Sequence, residues 1–427
     1  MRATRFACAA LLLATIVPAA LQAQEPEQRV KVVLQYTPGT RPGLVIVPGE
    51  GLDSLRALLR RDLDFSDRFE VVVVPPSTAA PAPGQPINYA LWRTFSATYA
   101  VELQLQAGGV DVRLHDLAGQ RLAASMRAVV PTEASPDFRM AAHRVSDEIV
   151  RWVTGTPGIA ASELAFVESG RIRTIDSDGV DLRTLTGAGV TALSPAWHPD
   201  SRRLAYTALI NGRATVQLLT VAGGAQQTVL GSGTALNITP SFSPDGRLLV
   251  YAHSDENGTN LVRVNVTDNC CMQRLTLGKF ADNLSPTFAP DGRRLAFVST
   301  RAGPPQIYVM GADGTDTELL VPFDVGATGS SNGPEWSPDG AALVFHRDVG
   351  GSPQIFVFDV ASGRTRQVTS SGRNEDPTWA PDGRHIAFVS DRTGRRQLWV
   401  IDTETSRVRQ IVSPGAARLP AWSRRQR

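Results

Sequence analysis

The stretch FAPDGRRLAF, Phe288–Phe297, decides the fold, because the chain repeats it with small changes. Related stretches begin at Trp197, Phe242, Trp336 and Trp379, and a last fragment, LPAW, ends at Trp422. Successive copies of the leading aromatic residue lie 43 to 48 residues apart, which is the spacing typical of four-stranded β-propeller blades. The repeat therefore predicts a ring of β-sheets.

Each part of the repeat favours a definite local conformation. In SPDG and its variants, proline fixes φ, aspartate favours the turn and glycine accepts positive φ, so the segment predicts a hairpin. The alternating apolar residues that follow predict a second strand with one buried face. We interpret the recurring aspartates as turn residues that the ring holds apart; they are Asp200, Asp245, Asp291, Asp339 and Asp382.

Two fragments flank the five full copies of the repeat. Residues Leu164–Thr186 supply second, third and fourth strands without a first strand. The LPAW fragment that ends at Trp422 supplies a first strand with nothing after it. Joined side by side, the fragments complete a sixth blade and leave no open sheet edge in the ring. We therefore predict an all-β six-bladed propeller over residues 159–427, closed by the C-terminal strand.

Residues 24–158 carry no copy of the repeat and mix strand-like runs with two amphipathic helices. The first helix is predicted around Leu52–Leu63, and the second has an apolar face from Phe138 to Val153. Ser135 is a plausible residue to cap the second helix, with Pro136 as its first helical residue, and Gly155 is expected to end it. This pattern predicts an N-terminal α/β domain before the propeller.

The first 23 residues have the three-part layout of a secretory signal peptide. Arg2 and Arg5 precede an apolar run over about Phe6–Val17, and Pro18 and small residues that end in Leu21–Ala23 follow. An uncleaved anchor is the alternative. Removing this segment deletes two basic residues and no acidic one, which leaves equal numbers of basic and acidic residues. A chain with that balance has no overall attraction to nucleic acid or anionic lipid.

Several short motifs resemble functional sites but fit the repeat better as structure. GSSNG, with Ser331 at its centre, matches a nucleophile elbow, yet an elbow needs a helix after it and here a blade-to-blade loop is expected. DSDGVD, Asp176–Asp181, lacks the glutamate that ends a calcium loop. The adjacent Cys270 and Cys271 offer only two of the four ligands of structural zinc, and the six histidines show no ligand spacing. We predict no catalytic residue, no metal and no cofactor.

The loops that join each fourth strand to the next first strand are expected to line one mouth of the ring. They read TALNIT, ADNLS, GSSNG and RNEDP, and they are polar and unlike one another. Repeat scaffolds keep their frame constant and vary such loops where they bind. The loops therefore predict a binding surface, with plain solvated loops as the alternative.

The junction between the two predicted domains resembles the TolB family, the periplasmic component of the Tol-Pal system of Gram-negative bacteria. Phe138–Val167 looks like that family's helix with His-x-x-Ser-Asp-Glu, followed by Leu-Thr-Gly and an Ile-Ala-Tyr-Val strand. Leu59–Val72, LRRDLDFSDRFEVV, is similar to the family's Asp-Leu-x-x-Ser-x-x-Phe segment. The resemblance extends over essentially the whole mature chain.

This resemblance implies a periplasmic, non-enzymatic role in protein binding. TolB-like proteins bind the peptidoglycan-associated lipoprotein Pal at the propeller mouth and communicate with the inner-membrane protein TolA, which supports outer-membrane integrity and cell division. Carried over by position, the partner-binding residues would be Leu236, Asn237, Ile238, Thr239, Asp282, Asn283, Leu284 and Ser285, with Asn374, Glu375 and Asp376 as weaker candidates. The family's histidine-bearing loop reads ALNIT here, without a histidine.

Two other classes of function share this kind of repeat. The propeller portion of a prolyl-oligopeptidase-like hydrolase would need a further α/β-hydrolase domain, and only five residues follow Trp422. A secreted glycan- or cell-wall-binding propeller is expected to expose aromatic residues in the variable loops, and those loops contain none.

Overall fold

The computed structural model describes residues 37–75, 78, 85–229, 236–279, 281–322, 329–411 and 413–424. The predicted signal peptide and the predicted strand Val30–Tyr36 lie outside the described residues. Within those described ranges, no helix is long and apolar enough to cross a membrane.

The N-terminal part of the chain forms one mixed β-sheet with three helices. The strands are β1 (Gly43–Ile46), β2 (Glu70–Val72), β3 (Tyr99–Gln106), β4 (Gly109–Asp116) and β5 (Arg121–Ala128), and the helices are α1 (Asp53–Phe65), α2 (Tyr89–Arg93) and α3 (Phe138–Thr154). The strand order is β2-β1-β3-β4-β5. Strand β1 is parallel to both of its neighbours, and the other pairs are antiparallel.

Helices α1 and α3 bury their apolar faces in the same core. Leu59 and Leu63 of α1 and Val145 and Ile149 of α3 belong to one buried cluster with Val101 of β3. Burial of such side chains removes apolar surface from water, at about 25 cal/mol per Å². The two helices that the apolar periodicity predicts are therefore present and positioned by that periodicity.

The start of α3 differs from the prediction by two residues. Asp137 precedes the first helical residue, Phe138, and its backbone N–H donates to Ser135 Oγ at 3.3 Å. Ser135 thus forms a turn before the helix instead of capping it. Gly155 ends the helix with a φ of 82°, a left-handed conformation that glycine adopts without a steric penalty.

Six four-stranded antiparallel sheets follow and form the propeller. The first blade consists of β9 (Thr191–Trp197), β10 (Arg203–Ile210), β11 (Arg213–Thr220) and β12 (Gln226–Thr228), and the second of β13 (Leu236–Phe242), β14 (Leu248–Asp255), β15 (Gly258–Asn265) and β16 (Cys270–Arg274). The third blade consists of β17 (Asn283–Phe288), β18 (Arg294–Ser299), β19 (Gln306–Gly311) and β20 (Glu318–Leu319), and the fourth of β21 (Ser331–Trp336), β22 (Ala342–Val349), β23 (Ser352–Asp359) and β24 (Arg364–Gln367). The fifth blade consists of β25 (Asn374–Trp379), β26 (His385–Ser390), β27 (Gln397–Asp402) and β28 (Val408–Ile411).

The sixth sheet, which we call the closing blade, joins the two ends of the propeller. Its strands are β6 (Glu163–Glu168), β7 (Arg171–Asp176), β8 (Arg183–Thr184) and β29 (Ala417–Trp422), in the order β29-β6-β7-β8. Trp422 Nε1 donates to Ser162 Oγ at 2.8 Å, and the backbone N–H of Ser423 donates to Glu163 O at 2.9 Å. The predicted ring closure by the C-terminal strand is confirmed.

Buried aromatic residues hold adjacent blades together. The aromatic residue that opens each repeat is buried in all six blades; these residues are Trp197, Phe242, Phe288, Trp336, Trp379 and Trp422. Each inter-blade core draws on two neighbouring sheets, as where Val250 and Leu261 of the second blade meet Phe297 of the third. A blade therefore cannot bury its own apolar face without its neighbour.

The two faces of the ring have different neighbours. The innermost strands meet around the central axis and all begin at one face, which we call the mouth face. Because the strands are antiparallel, the first-to-second and third-to-fourth turns lie at the opposite face, here called the domain face. The α/β domain contacts the domain face: Arg61 of α1 pairs with Asp178, which follows β7, and Arg384 Nη2 donates to Asp67 O at 3.1 Å.

Candidate functional site: the mouth of the propeller

All six innermost strands carry the same bulge near the mouth face. In each strand, a residue with positive φ precedes a proline, and the pairing with the second strand shifts at that point. The six residues are Ser194, Thr239, Ser285, Gly333, Asp376 and Leu419. A bulge leaves its extra residue unpaired, so a proline without an N–H is tolerated there. The bulges turn these residues toward a shared rim around the channel.

Side chains of this rim bond across to the next blade. The N–H of Ser285 donates to Thr239 Oγ1 at 3.1 Å, and the N–H of Leu419 donates to Asp376 Oδ2 at 3.2 Å. The N–H of Asp376 itself donates to His346 Nδ1 at 3.3 Å. These bonds satisfy backbone groups that the bulges leave unpaired. The rim is therefore a preorganised surface and not a set of free loops.

The structure corrects the expectation that the partner-binding residues lie in loops. Residues 236–239, 283–285 and 374–376 are the first residues of the innermost strands β13, β17 and β25. Three of them, Asn237, Asn283 and Asn374, are buried, with at most 3% of their surface exposed. Their side chains are therefore not exposed in this structure, and their part in partner binding stays a prediction.

The three asparagines instead connect neighbouring strands and blades. Asn283 Nδ2 donates to Thr259 O of the preceding blade at 3.0 Å, while its Oδ1 accepts from Ser299 Oγ at 3.0 Å and from Arg301 Nη2 at 3.2 Å. Asn237 and Asn374 make equivalent bonds to their preceding blades. Asparagine suits this position because one amide supplies donors and an acceptor at once.

Replacing Asn283 by alanine is expected to lower the free energy of unfolding by about 1–3 kcal/mol, because its buried partners lose their hydrogen bonds. Denaturant unfolding measures this loss. The matched control is Asp282→Ala, one residue earlier and exposed, which should change stability by less than about 0.5 kcal/mol. Equal effects from the two substitutions would contradict the connecting role of Asn283.

The remaining predicted residues reach the surface or the rim. Leu236 is 46% exposed, and Asp282 is exposed one residue before β17. Ile238 and Leu284 are half-buried against the core between the second and third blades. Thr239, Ser285, Glu375 and Asp376 are also half-buried. Leu236 and Asp282 are therefore the positions that a partner can touch without disturbing the fold.

Charged groups concentrate on the fifth-blade side of the mouth face. Glu375 Oε1 lies 3.3 Å from Arg373 Nη2 and 3.4 Å from Arg396 Nη2. The arginine side chains are 48% and 36% exposed, whereas that of Glu375 is 19% exposed. Burial raises the pKa of the neighbouring Asp376 carboxyl. This side of the mouth thus presents cations to solvent and keeps its carboxylates inside.

A polar groove of about 400 Å³ opens beside this cluster, between the fourth and fifth blades. Its lining residues are Val349, Ser352, Gln354, Gln367, Ser370, Gly372, Arg373 and Asp391. The floor is held in place, since Gln354 Nε2 donates to Gly372 O at 2.7 Å and Gln354 Oε1 accepts from Asn374 Nδ2 at 2.8 Å. Such a groove offers hydrogen-bonding groups to an extended polar segment of a partner. No motif in the sequence indicated it, because its walls come from separate blades.

The motif that resembles a nucleophile elbow is part of the frame. Ser331 is fully buried at the start of β21, and its Oγ accepts from Arg347 Nε at 3.0 Å. The strand runs on through Pro334 to Trp336 and into a hairpin, so no helix follows the serine. The arrangement lacks the exposed hydroxyl and the strand-to-helix turn that an elbow requires.

The recurring aspartates act as turn residues, as predicted. In each hairpin the aspartate Oδ1 accepts a backbone N–H two residues later; the acceptors are Asp200, Asp245, Asp291, Asp339 and Asp382. Asp382 has a second role that the repeat did not reveal, because it also faces His385 at the domain face. Asp178, within the predicted hairpin turn DSDGVD, likewise pairs with Arg139 of the α/β domain.

The sequence model of the protein family described as the TolB β-propeller domain matches residues 150–423 of this chain. The chain belongs to the TolB family. Its TolB propeller accounts for the six sheets and for the closure by β29, and the prediction drawn from the domain junction is confirmed.

Curated relatives of this chain are found in Xanthomonas. The chain is 29% identical over 239 residues to the Tol-Pal system protein TolB of Xanthomonas oryzae pv. oryzae, over 52% of this chain and 54% of the relative. The same values hold for the Xanthomonas campestris pv. campestris protein of that name. The chain spans about half the length of these curated relatives.

The whole fold is similar to one solved TolB structure. TolB from Acinetobacter baumannii superposes with a TM-score of 0.78 at 24% identity, covering 93% of this chain and 98% of that one. At this identity the similarity establishes the fold, an α/β region followed by a six-bladed propeller.

Proposed function

We propose that this TolB-family chain is a periplasmic, non-enzymatic scaffold of the Tol-Pal system that binds the peptidoglycan-associated lipoprotein Pal through the mouth face. The observation that carries the proposal is the division between the two faces of the ring. The α/β domain covers part of the domain face, whereas the described contacts of that domain leave the mouth face accessible. The loops that lead into the mouth face also differ from blade to blade, as TALNIT, ADNLS, GSSNG and RNEDP show.

The rigid rim supports recognition without a large loss of conformational entropy. Thr239, Ser285 and Asp376 are fixed by bonds to neighbouring blades, so little ordering is needed when a partner binds. Leu236 supplies exposed apolar surface at the edge of the rim. The groove beside Arg373 supplies polar contacts for an adjoining segment of the same partner.

We propose that the α/β domain provides the link to a TolA-like inner-membrane protein. Among the described residues, the edge strand β2 pairs only with β1, so its other edge can accept a strand from a partner. A groove of about 200 Å³ lies between α1 and β2, and Arg56 and Val73 are among the residues that line it. Val73 is 61% exposed. These features favour β-augmentation as the binding mode.

A crossed pair of variants tests the two surfaces. Leu236→Glu with Asp282→Arg should weaken Pal binding at least about tenfold, or about 1.4 kcal/mol, and leave TolA binding unchanged. Val73→Glu should weaken TolA binding and leave Pal binding unchanged. Isothermal titration with lipid-free Pal and with the periplasmic domain of TolA gives both affinities. Each variant is the control for the other, because both substitute exposed residues.

The outcomes separate the two assignments. Leu319→Glu, on the exposed outermost strand of the third blade, should alter neither affinity. If wild-type protein does not bind Pal, the proposed function is wrong. If it binds Pal equally well with Leu236 and Asp282 replaced, the mouth assignment is wrong.

A further inference from the structure

The contact between the α/β domain and the propeller is built from buried ionisable groups. We call these groups the junction cluster; they surround His385 on the fifth blade and His143 on α3. Both histidines have 0% side-chain exposure. Burying so many charged groups is unfavourable unless they are paired, so each of them is expected to have a partner of opposite charge.

His385 bridges the two domains through both ring nitrogens. Nδ1 lies 2.7 Å from Asp382 Oδ2 of the propeller, and Nε2 lies 3.3 Å from Asp67 Oδ2 of the α/β domain. Asp402 Oδ2 is 3.8 Å from Nε2. A ring that faces a carboxylate at each nitrogen donates from both, and only the imidazolium form can do so.

Arginines complete the charge balance around His385. Arg384 pairs with Asp402 and Glu404, and Arg407 Nη1 lies 2.6 Å from Asp67 Oδ1. Arg68 Nη2 lies 3.9 Å from Asp382 Oδ2. The surrounding carboxylates are thus shared among four cationic side chains, of which His385 alone can lose its proton near neutral pH.

His143 lies in a related arrangement on α3, although its Nε2 makes no hydrogen bond to the described residues. Its Nδ1 lies 2.7 Å from Asp62 Oδ2 on α1, and its Nε2 lies 3.5 Å from Asp178 Oδ2 on the propeller. Arg139 and Arg61 also pair with Asp178. Further charged groups nearby are Asp176, which pairs with Arg139, and Arg409, whose guanidinium stacks on Phe65 at 4.8 Å.

A third protonatable group holds the connection between the domains. The carboxylate of Asp147 on α3 accepts the N–H groups of Ala160 and Ala161 at 2.7 and 2.9 Å. Its backbone oxygen accepts the N–H of Gly158 at 3.2 Å. Asp147 therefore fixes the segment that leads from α3 into the closing blade.

The junction cluster does not have the character of a metal site. Asp67, His385 and Asp402 converge closely enough to hold a cation, and so do His143, Asp176 and Asp178. In both groups, however, arginine side chains already pair with the carboxylates. A divalent cation would have to displace guanidinium groups from a set whose charge is already compensated.

We propose that the junction cluster is a proton-controlled latch, which holds the α/β domain on the propeller while His385 and His143 are protonated and releases it when they lose their protons. The docked state contains cationic rings between carboxylates of both domains. A neutral ring can donate from only one nitrogen, so deprotonation leaves a buried carboxylate facing a ring nitrogen that no longer donates.

The pKa shifts have the sign that this latch requires. Burial by itself lowers the pKa of His385, but Asp382, Asp67 and Asp402 outweigh it and raise the pKa to about 9 from an ordinary 6.5. Burial opposes Asp62 and Asp178 in the same way at His143, and the pKa of that ring is also raised. Burial raises the pKa of Asp147 to about 7 from 3.8, against the effect of its two backbone donors.

All three groups hold a proton more tightly in the docked state than when exposed. For His385, docking therefore has its full stability below about pH 6.5 and loses it as the pH rises through about 9. For Asp147, the loss begins above pH 3.8 and is complete above about 7. The carboxyl of Asp382, whose pKa is lowered, acts in the opposite direction and weakens the contact only in acid.

Hydrogen exchange of the full-length protein tests this latch. The exchange rates of residues 156–162, corrected for the intrinsic rate at each pH, give the equilibrium constant for local opening. This constant should rise at least about tenfold between pH 6.5 and 9.5, because a difference of one pKa unit between the docked and the open state changes it about tenfold. Return to pH 6.5 should restore protection. Calorimetry should show one joint transition at pH 6.5 and an earlier, separate transition of the α/β domain at pH 9.5.

Variants distinguish the junction from a general effect of alkali. His385→Gln cannot be protonated at this position, so it should already show a raised opening constant at pH 6.5 and a smaller further rise up to pH 9.5 than the wild type, because His143 and Asp147 still titrate. His198→Gln replaces a buried histidine of the first blade that contacts Gly246 O within the propeller and should keep the wild-type response. If His385→Gln does not fold, the wild-type titration decides.

Unchanged corrected exchange in the wild type over this range would overturn the latch. So would a His385→Gln variant that responds to pH as the wild type does. Neither result bears on Pal binding at the mouth face.

Discussion

Removing residues 417–427 is expected to open the propeller and to lower its melting temperature by about 10 °C or more. The deletion takes away β29, the innermost strand of the closing blade. It uncovers the core in which Trp422 packs with Leu164 and Phe166. It also leaves β6 with an unpaired edge, which invites aggregation.

Single substitutions at Trp422 should lower the stability by graded amounts. Trp422→Ala should cost about 3–5 kcal/mol, the range for removing a large buried aromatic side chain, whereas Trp422→Phe should cost less because it keeps most of the packing. A chain that ends at Arg424 retains β29 whole and is the matched control. Calorimetry gives the melting temperatures of the deletion variant, of the two Trp422 variants and of the control chain, each compared with the wild type. A deletion variant that melts with the wild type would show that the C-terminal strand does not close the ring.

Arg384→Ala is expected to destabilise the protein by about 3–5 kcal/mol, because it removes the nearest cationic partner of the buried Asp402. The Arg384 side chain is 3% exposed and that of Asp402 is 0% exposed. Arg384 also donates to the backbone oxygen of Asp67, so the substitution removes a contact between the domains. The α/β domain should consequently unfold at a lower temperature than the propeller.

The repeat itself supplies the matched control for this substitution. Arg293 occupies the same repeat position in the third blade, and its N–H bonds to Asp291 as that of Arg384 bonds to Asp382. Arg293 is exposed, so Arg293→Ala should change stability by less than about 0.5 kcal/mol. Denaturant unfolding followed by far- and near-ultraviolet circular dichroism compares the two. Equal losses would mean that the position in the repeat, and not the domain contact, determines the effect.

The fold was predictable because its signals are local and repeated. Proline, aspartate and glycine fix each hairpin, and the aromatic residues at regular spacing fix the blades. The closing blade followed from two complementary fragments around Leu164 and Trp422. Element ends were less certain: Asp137, not Ser135, precedes α3, because a serine before a proline can form a turn as readily as a cap.

The mouth residues were predicted less well, for a geometric reason. The asparagines of β13, β17 and β25 look like loop residues in sequence, since polar side chains before a proline are typical of turns. The bulges extend the strands over them, and their amides turn inward to the preceding blade. Sequence alone does not show on which side of a strand a bulge places its side chain.

The sequence motifs at the domain junction contain Asp62, His143 and Asp147, but they did not reveal that these residues belong to a cluster of buried charges. Asp382 stands in the same SPDG-like turn as four other aspartates, and the repeat does not reveal which blade the α/β domain contacts. On the propeller side, His385 carried a signal, because the equivalent repeat positions hold Arg203, Leu248, Arg294 and Ala342 and no other histidine. A histidine that departs from its repeat, next to a turn aspartate, is a reason to expect an ion pair there.

We expect a protein partner to bind at the mouth face while the α/β domain occupies the domain face. Hydrogen exchange of the full-length protein with and without lipid-free Pal distinguishes the two faces. Added protection is expected at residues 236–239 and 282–285 and around the groove at Arg373, with no added protection in the turns at Asp200 and Asp291. Protection confined to those turns of the domain face, with the mouth face unchanged, would contradict this expectation.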